Sequence, residues 1–298
     1  MTVIGQTTIV LDEAAGEAIA AVDGTERWRY AYGARKRPFL HPVATPAGHV
    51  LTRNAPEDHP WHHGLWFTIK FVNDENFWEE QDQYGVLRHR AAPKIQHHGD
   101  RITLVGDLDW IRPDRETVVM KEHRRVAHVP IDDNAYAIDF DTTLVPEQKV
   151  VLDRTPFTTW GGYSGLAFRG RGDFHDTRIL LSDGSEQDRV LGGRANWLDL
   201  SGLVDSADGD APAGLAIFDP MGSPSHPVPW YASTKSATYG EEWGNFINAA
   251  FLWEGPLKLA KHQPLTFTYR VIVHDGIWDE ARLHAEYDRY IGDVASRL

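Results

Sequence analysis

The segment LTFTYRVIVHD, residues 265–275, alternates Leu265, Phe267, Tyr269, Val271 and Val273 with Thr266, Thr268 and Arg270. A side-chain period of two belongs to a β-strand that buries one face. The same rhythm recurs where Tyr136, Ile138, Phe140 and Thr142 are set against Asp139, Asp141 and Thr143. Segments 66–72, 102–111, 117–129 and 214–218 carry the aromatic and β-branched enrichment of further strands. Turn pairs punctuate them: Gly161-Gly162, Asp183-Gly184, Asp208-Gly209 and Asp275-Gly276. Many strands divided by turns, with no strand-then-helix repeat, predict an all-β antiparallel sandwich or barrel and exclude a doubly wound α/β fold.

The end of the chain departs from this pattern. Trp278, Ala281, Ala285, Tyr290, Ile291 and Val294 fall near one face of a helix between residues 277 and 297, which is expected to pack over a sheet. No repeat, low-complexity tract or linker marks a domain boundary, and residues 201–213 (SGLVDSADGDAPA) read as a surface excursion. One domain spanning 1–298 is therefore expected.

The 298 residues carry 30 basic and 43 acidic side chains, a net charge of −13, and this balance argues against nucleic acid or an anionic membrane as partner. The absence of cysteine excludes disulfides, thiolate zinc, iron–sulfur clusters and a cysteine nucleophile. The start MTVIGQTTIVLDEAAG lacks the pattern of a secretory signal, and no stretch approaches the roughly 18 to 20 apolar residues of a membrane span. A cytoplasmic location is the expectation, and the oligomeric state stays open. Residues 162–165 (GYSG) lack the last glycine of a G-x-S-x-G elbow. With no phosphate-cradling or dinucleotide fingerprint either, ATP, NAD and flavin chemistry are not expected.

His41, His49, His59, His62 and His63 fall within 23 residues, where an even spread of the 15 histidines would place about one. The densest part is DHPWHHGLW, residues 58–66. Pro60 keeps His59 out of the helical region, so the motif is a loop feeding a strand near Leu65 and not a helical metal motif. Such a loop brings imidazoles to a pocket as general acid or base, with Asp58 available to orient a ring. Single loop histidines also cap turns, and it is their concentration that points to a site.

Downstream, NDENFWEE supplies Asn76, Trp78, Glu79 and Glu80. Read as a strand, adjacent residues face opposite ways, so only one of Glu79 and Glu80 meets the pocket, and Glu79 is chosen. His226, Trp230 and Tyr231 sit in a proline-stiffened loop, and Trp160, Tyr163, Arg169 and His175 lie in WGGYSGLAFRGRGDFH. With 11 Trp and 10 Tyr, stacking platforms for a sugar ring are in good supply, though most aromatics serve the core.

These residues resemble a bacterial family labelled PmoA-like, or "methane oxygenase PmoA". The resemblance rests on RPFLHPVATPAGHVLTRNAPEDHPWHHGLWFTIKFVNDENFWEE, NWLDLSG, AGLAIFDPMGSPSHPVPWY and LTFTYRVIVHDG, between Arg37 and Gly276. Its D-H-P-x-H pattern carries over onto Asp58, His59 and His62, whereas the position of His63 often differs. The oxygenase label conflicts with the lack of membrane-spanning segments. The resemblance implies instead a galactose mutarotase-like β-sandwich, a fold that hosts sugar epimerases, lyases and hydrolases.

The expectation is thus a carbohydrate-active enzyme whose catalytic residues are His62 or His59 as acid or base, Glu79 as the opposing carboxylate and Asp58 orienting an imidazole. His41, His63, Trp66, Asn76, Trp78, Tyr163, His175, His226 and Trp230 would contact the sugar, with Trp66, Trp78 and Trp230 as its platform. No cofactor is predicted. Two alternatives stand: a divalent metal on His59, His62 and a carboxylate, and a non-catalytic sugar-binding module or sensor.

Overall fold

In a computed structural model, residues 5–34, 36–156, 162–207, 209–234 and 244–297 are described. Among them, nine antiparallel strands form one sheet in the order Thr7–Asp12, Glu17–Val22, Thr25–Ala31, Phe39–Val43, Leu65–Ile69, Ser164–Arg169, Phe246–Ala249, Pro229–Ser233 and Arg189–Arg194. A ten-stranded sheet runs Glu186–Gln187, Phe174–Leu181, Trp197–Val204, Ala211–Phe218, Leu265–Asp275, Ala135–Pro146, Val118–Asp132, Arg101–Ile111 and Val86–His89, with Lys94–His98 also paired to Arg101–Ile111. Short strands Leu257–Leu259, Val150–Asp153, Phe71–Val72 and Glu75–Asn76 make a third sheet. The fold is an all-β antiparallel sandwich with one C-terminal helix, as expected.

The two large sheets meet through their alternating apolar faces. Leu65, Phe67 and Ile69 from one join Phe140, Phe267 and Val271 from the other in a single buried cluster. The Phe67 ring lies 5.1 Å from Phe267 and 6.0 Å from Phe140. Burying a side chain of that size contributes about 1.5–3 kcal/mol.

Each outer face has its own cover. On the ten-stranded sheet, Ala137, Ala216, Phe218 and Ile272 pack against Leu283, Tyr287 and Tyr290 of the helix Glu280–Arg297. On the nine-stranded sheet, Trp66, Ala167, Tyr231 and Phe246 pack against Trp78 and Tyr163. No helix among the described residues is long and apolar enough to cross a membrane. Residues 201–213 are mostly two paired strands, Leu203 opposite Pro212 and Val204 opposite Ala211, so the excursion shrinks to a hairpin connection. Aspartates and glycine obscured a pairing that Leu203, Val204 and Ala213 sustain.

Candidate functional site

The histidine loop is a closed excursion over the nine-stranded sheet. Its ends are pinned by the bridge between Asn54 and His63 and by the Ala55 N–H donating to the His62 carbonyl at 2.8 Å. Within it, the His62 N–H donates to the His59 carbonyl at 2.9 Å, closing a turn whose second residue is Pro60. That turn sets the two imidazoles face to face, ring centres 4.7 Å apart. Gly64 then feeds the strand Leu65–Ile69 with a φ of 68°; a Cβ there would come within 2.4 Å of the Leu40 carbonyl oxygen, so the close approach requires glycine.

Asp58 organises the outer layer. Its Oδ2 accepts from His59 Nδ1 at 2.7 Å and from Arg169 Nη2 at 2.8 Å. Burial pushes the Asp58 carboxyl up, but the His59 hydrogen bond and the Arg169 charge outweigh it and hold the group below its ordinary value. Burial lowers the His59 pKa, with Asp58 opposing, so the ring is neutral near pH 7. The Nδ1 atom of His59 is thereby committed to Asp58. The half-buried Trp61 indole stands edge-on to this ring at 5.3 Å.

Beneath lies His62, fully buried. It stacks between His59 and Phe246, the latter 5.4 Å away, with Trp66 tilted against it at 4.9 Å. Among the described residues, neither ring nitrogen has a hydrogen-bond partner, and the buried indole N–H groups of Trp66 and Trp78 have none either. Burial, then the charges of His59 and Arg169, push the His62 pKa well down. Buried polar groups are ordinarily satisfied, so this concentration of orphan atoms is itself a site signal.

The carboxylates differ from expectation. Residues 78 and 79 form a bend and 80 is irregular, so strand alternation does not apply and both glutamates find partners. Glu79 is gripped by Lys70 and by the Asn76 amide, whose Oδ1 also caps the Trp78 N–H at 2.8 Å. Glu80 reaches His63 Nε2 at 3.0 Å and Arg37 at 3.3 Å. Burial raises the Glu80 pKa, but His63 and Arg37 more than offset it. Burial lowers the Lys70 pKa against the pull of Glu79.

The expected residues divide accordingly. Asp58, His59, His62, His63, Trp66, Asn76, Trp78, Tyr163 and Glu79 come together, Tyr163 stacked on Trp78 at 4.7 Å. His41 sits at the loop's base, its Nδ1 2.9 Å from Thr52 Oγ1. Trp66 and Trp78 are fully buried, so the sugar platform assigned to them is corrected: Trp61 is the half-exposed indole beside His59. Trp230 is corrected as well. On the strand Pro229–Ser233, even positions face the inter-sheet core, where its Nε1 donates to the Ala195 carbonyl at 2.9 Å, and Tyr231 faces the site.

His226 and His175 are placed elsewhere. His226 Nδ1 lies 2.8 Å from Asp219 Oδ2, beside the ten-stranded sheet. His175 stands on that sheet, 3.3 Å from Asp205 and 3.6 Å from Asp210. Among the described residues, that trio is the grouping whose ligand atoms all fall within 4.8 Å, rather than His59, His62 and a carboxylate. Trp160 lies outside the described residues.

Sequence reasoning missed Arg37 and Lys70, the cations that hold Glu80 and Glu79. Arg37 is fully enclosed and donates to the Phe77 and Trp61 carbonyls at 3.0 and 2.9 Å, tying the glutamate bend to the histidine loop. The available signal was Lys70 ending the apolar run 65–69, since a cation there needs a partner.

Comparison with known proteins adds a family. No curated protein matches. Among solved structures, the chain is similar to a galactose mutarotase related enzyme from Lactobacillus acidophilus, at 11% identity and a TM-score of 0.36, covering 92% of this chain and 99% of that one. The family model that matches is described as a family of unknown function, DUF6807, and takes in residues 19–288; no PmoA label accompanies it. With nearly the whole sandwich inside the match, the chain belongs to this family of unknown function.

Proposed function

We propose that this protein is an enzyme that moves a proton on a small carbohydrate, with His59 as the acid–base group. The observation that carries the reading is the Asp58–His59 pair. It is a half-buried imidazole kept neutral by burial and oriented by a carboxylate that Arg169 fixes in turn. Nε2 of His59 takes a proton from a substrate C–H or O–H, and Asp58 stabilises the imidazolium that forms until the proton is returned. Glu79 is near enough for its charge to favour that protonated ring, and Lys70 and Asn76 hold it in place. His62 lines the floor, and the half-buried Trp61 indole stands beside the His59 ring. Epimerase, lyase and glycosidase chemistry all draw on this equipment.

The test is a panel of monosaccharides and glycosides followed by NMR for turnover or exchange, repeated with Asp58→Asn and His59→Ala. The expected result is a loss of kcat of about 100-fold or more in both variants, within the range set by acid–base residues, with melting curves that remain cooperative. Full turnover in both folded variants overturns the assignment. Saturable sugar binding with no turnover in the parent replaces it with the binding-module reading.

A further inference from the structure

A second feature lies away from the histidine loop. A groove of about 770 Å³ opens between Tyr32, Gly33, Ala34 and Lys36 on one side and the strand Val86–His89 on the other, and its wall carries Lys36, Arg88 and Arg115 against one carboxylate, Asp82. Three cations to one anion is a reversal of sign on a chain of net charge −13.

The partners of those charges decide what the groove can take. Arg88 stands cross-strand from Asp109, but Asp109 is held by Arg90, whose Nε donates to it at 2.9 Å. Among the described residues the Arg88 guanidinium makes no ion pair or hydrogen bond. The Arg115 guanidinium is fixed by the Tyr84 and Asp82 carbonyls, each at 2.6 Å, so its charge is positioned before any ligand arrives. Lys36 pairs with Asp82 at 2.9 Å, but that carboxylate is fully exposed, and such a pair is readily exchanged.

The floor contributes dipoles rather than charge. His89 Nε2 lies 2.8 Å from the Tyr30 hydroxyl, which itself accepts from Arg124 at 3.2 Å. The other ring nitrogen, His89 Nδ1, is buried and has no hydrogen-bond partner among the described residues, so it is open to a ligand's polar atom. Burial and the nearby Arg124 push the His89 pKa down to about 3, so the ring is neutral. The Tyr32 hydroxyl is likewise buried and unpartnered.

We infer that this groove binds a small oxyanion, the carboxylate or phosphate of an acidic metabolite, with Arg88 and Arg115 as its charged contacts and Lys36 released from Asp82 to join them. Guanidinium groups suit both anions because their N–H pairs match two oxygens at once.

The test is calorimetric titration of the full chain at low ionic strength with inorganic phosphate and, separately, with malonate. At least one is expected to bind saturably at millimolar concentration or below, and the preferred probe identifies a tetrahedral or a planar anion. Arg88→Glu, and separately Lys36→Glu, should weaken binding at least tenfold while the melting transition is kept, and about 0.5 M NaCl should do the same to the parent. Absence of binding for both anions, or binding unchanged in both folded variants, overturns the proposal. Neither probe is a sugar, so that failure leaves the acid–base reading of His59 untouched.

Discussion

The two outer faces of the sandwich each bury a histidine completely, and the two rings are treated differently. Under the helix side, His274 donates from Nδ1 to the Gly276 carbonyl at 3.0 Å, meets Asp199 Oδ1 through Nε2 at 3.0 Å and stacks on Trp278 at 4.4 Å. On the opposite face, His62 has rings on both sides and nothing at either nitrogen. Equal burial with opposite satisfaction separates a side chain that holds the fold from one that the fold holds ready. Stability alone has no use for an imidazole where a phenyl ring would pack as well.

That contrast is open to direct attack. The largest effect is expected from making the same substitution on both faces. His274→Phe strips the partner from a fully buried Asp199 whose other oxygen is already unpartnered, and should cost about 3–5 kcal/mol in chemical denaturation. His62→Phe removes two unsatisfied nitrogens from an aromatic stack and should change stability by less than about 1.5 kcal/mol. Comparable losses at the two positions would erase the distinction.

Acid sharpens it further. Folding holds the His62 pKa far below the ordinary 6.5, so below that pH the unfolded chain binds a proton that the native chain refuses. Stability therefore falls as the pH drops below 6.5, and this contribution is absent above it. In His62→Phe the slope below pH 6.5 should flatten by about 1.4 kcal/mol per pH unit, read from denaturation curves at stepped pH. An unchanged slope would mean that His62 titrates normally. The smallest effect belongs to the helix side, where the Tyr287 hydroxyl donates to the Asp219 carbonyl at 3.1 Å. Tyr287→Phe should cost about 1 kcal/mol, measured the same way, because one neutral hydrogen bond is lost while the ring stays packed.

How far the sequence reveals this molecule depends on the range of the forces involved. The strands at 265–275 and 135–146 are plain in the sequence because period-two burial is imposed residue by residue, and they lie side by side in the ten-stranded sheet. The helix is plain for the same local reason, but it begins at Glu280, past Trp278, and it buries Leu283, Tyr287 and Tyr290 while Ala281 and Ala285, assigned to the packed face, are exposed. That Asp58, His59 and His62 come together is legible because a tight turn joins them within five residues. The rest depends on partners far along the chain. Arg169 completes the Asp58 pair from 111 residues away, and Arg37 grips Glu80 across the loop. Trp230 and Tyr231 are neighbours in sequence that face different layers, and a one-residue choice of register decides which indole or phenol meets the site. Glu79 and Glu80 resisted parity because a bend, set by the Asn76 cap, replaces the strand that parity assumes.

The terminal helix carries a consequence for handling the protein. Its 18 residues, Glu280–Arg297, carry Leu283, Tyr287 and Tyr290 onto Phe218, Ile272 and Ala216 on that side of the ten-stranded sheet. A chain shortened to end near Gly276 would leave a broad greasy plane bare. Such molecules would self-associate and precipitate during expression even though every strand pairing of the sandwich had been left intact.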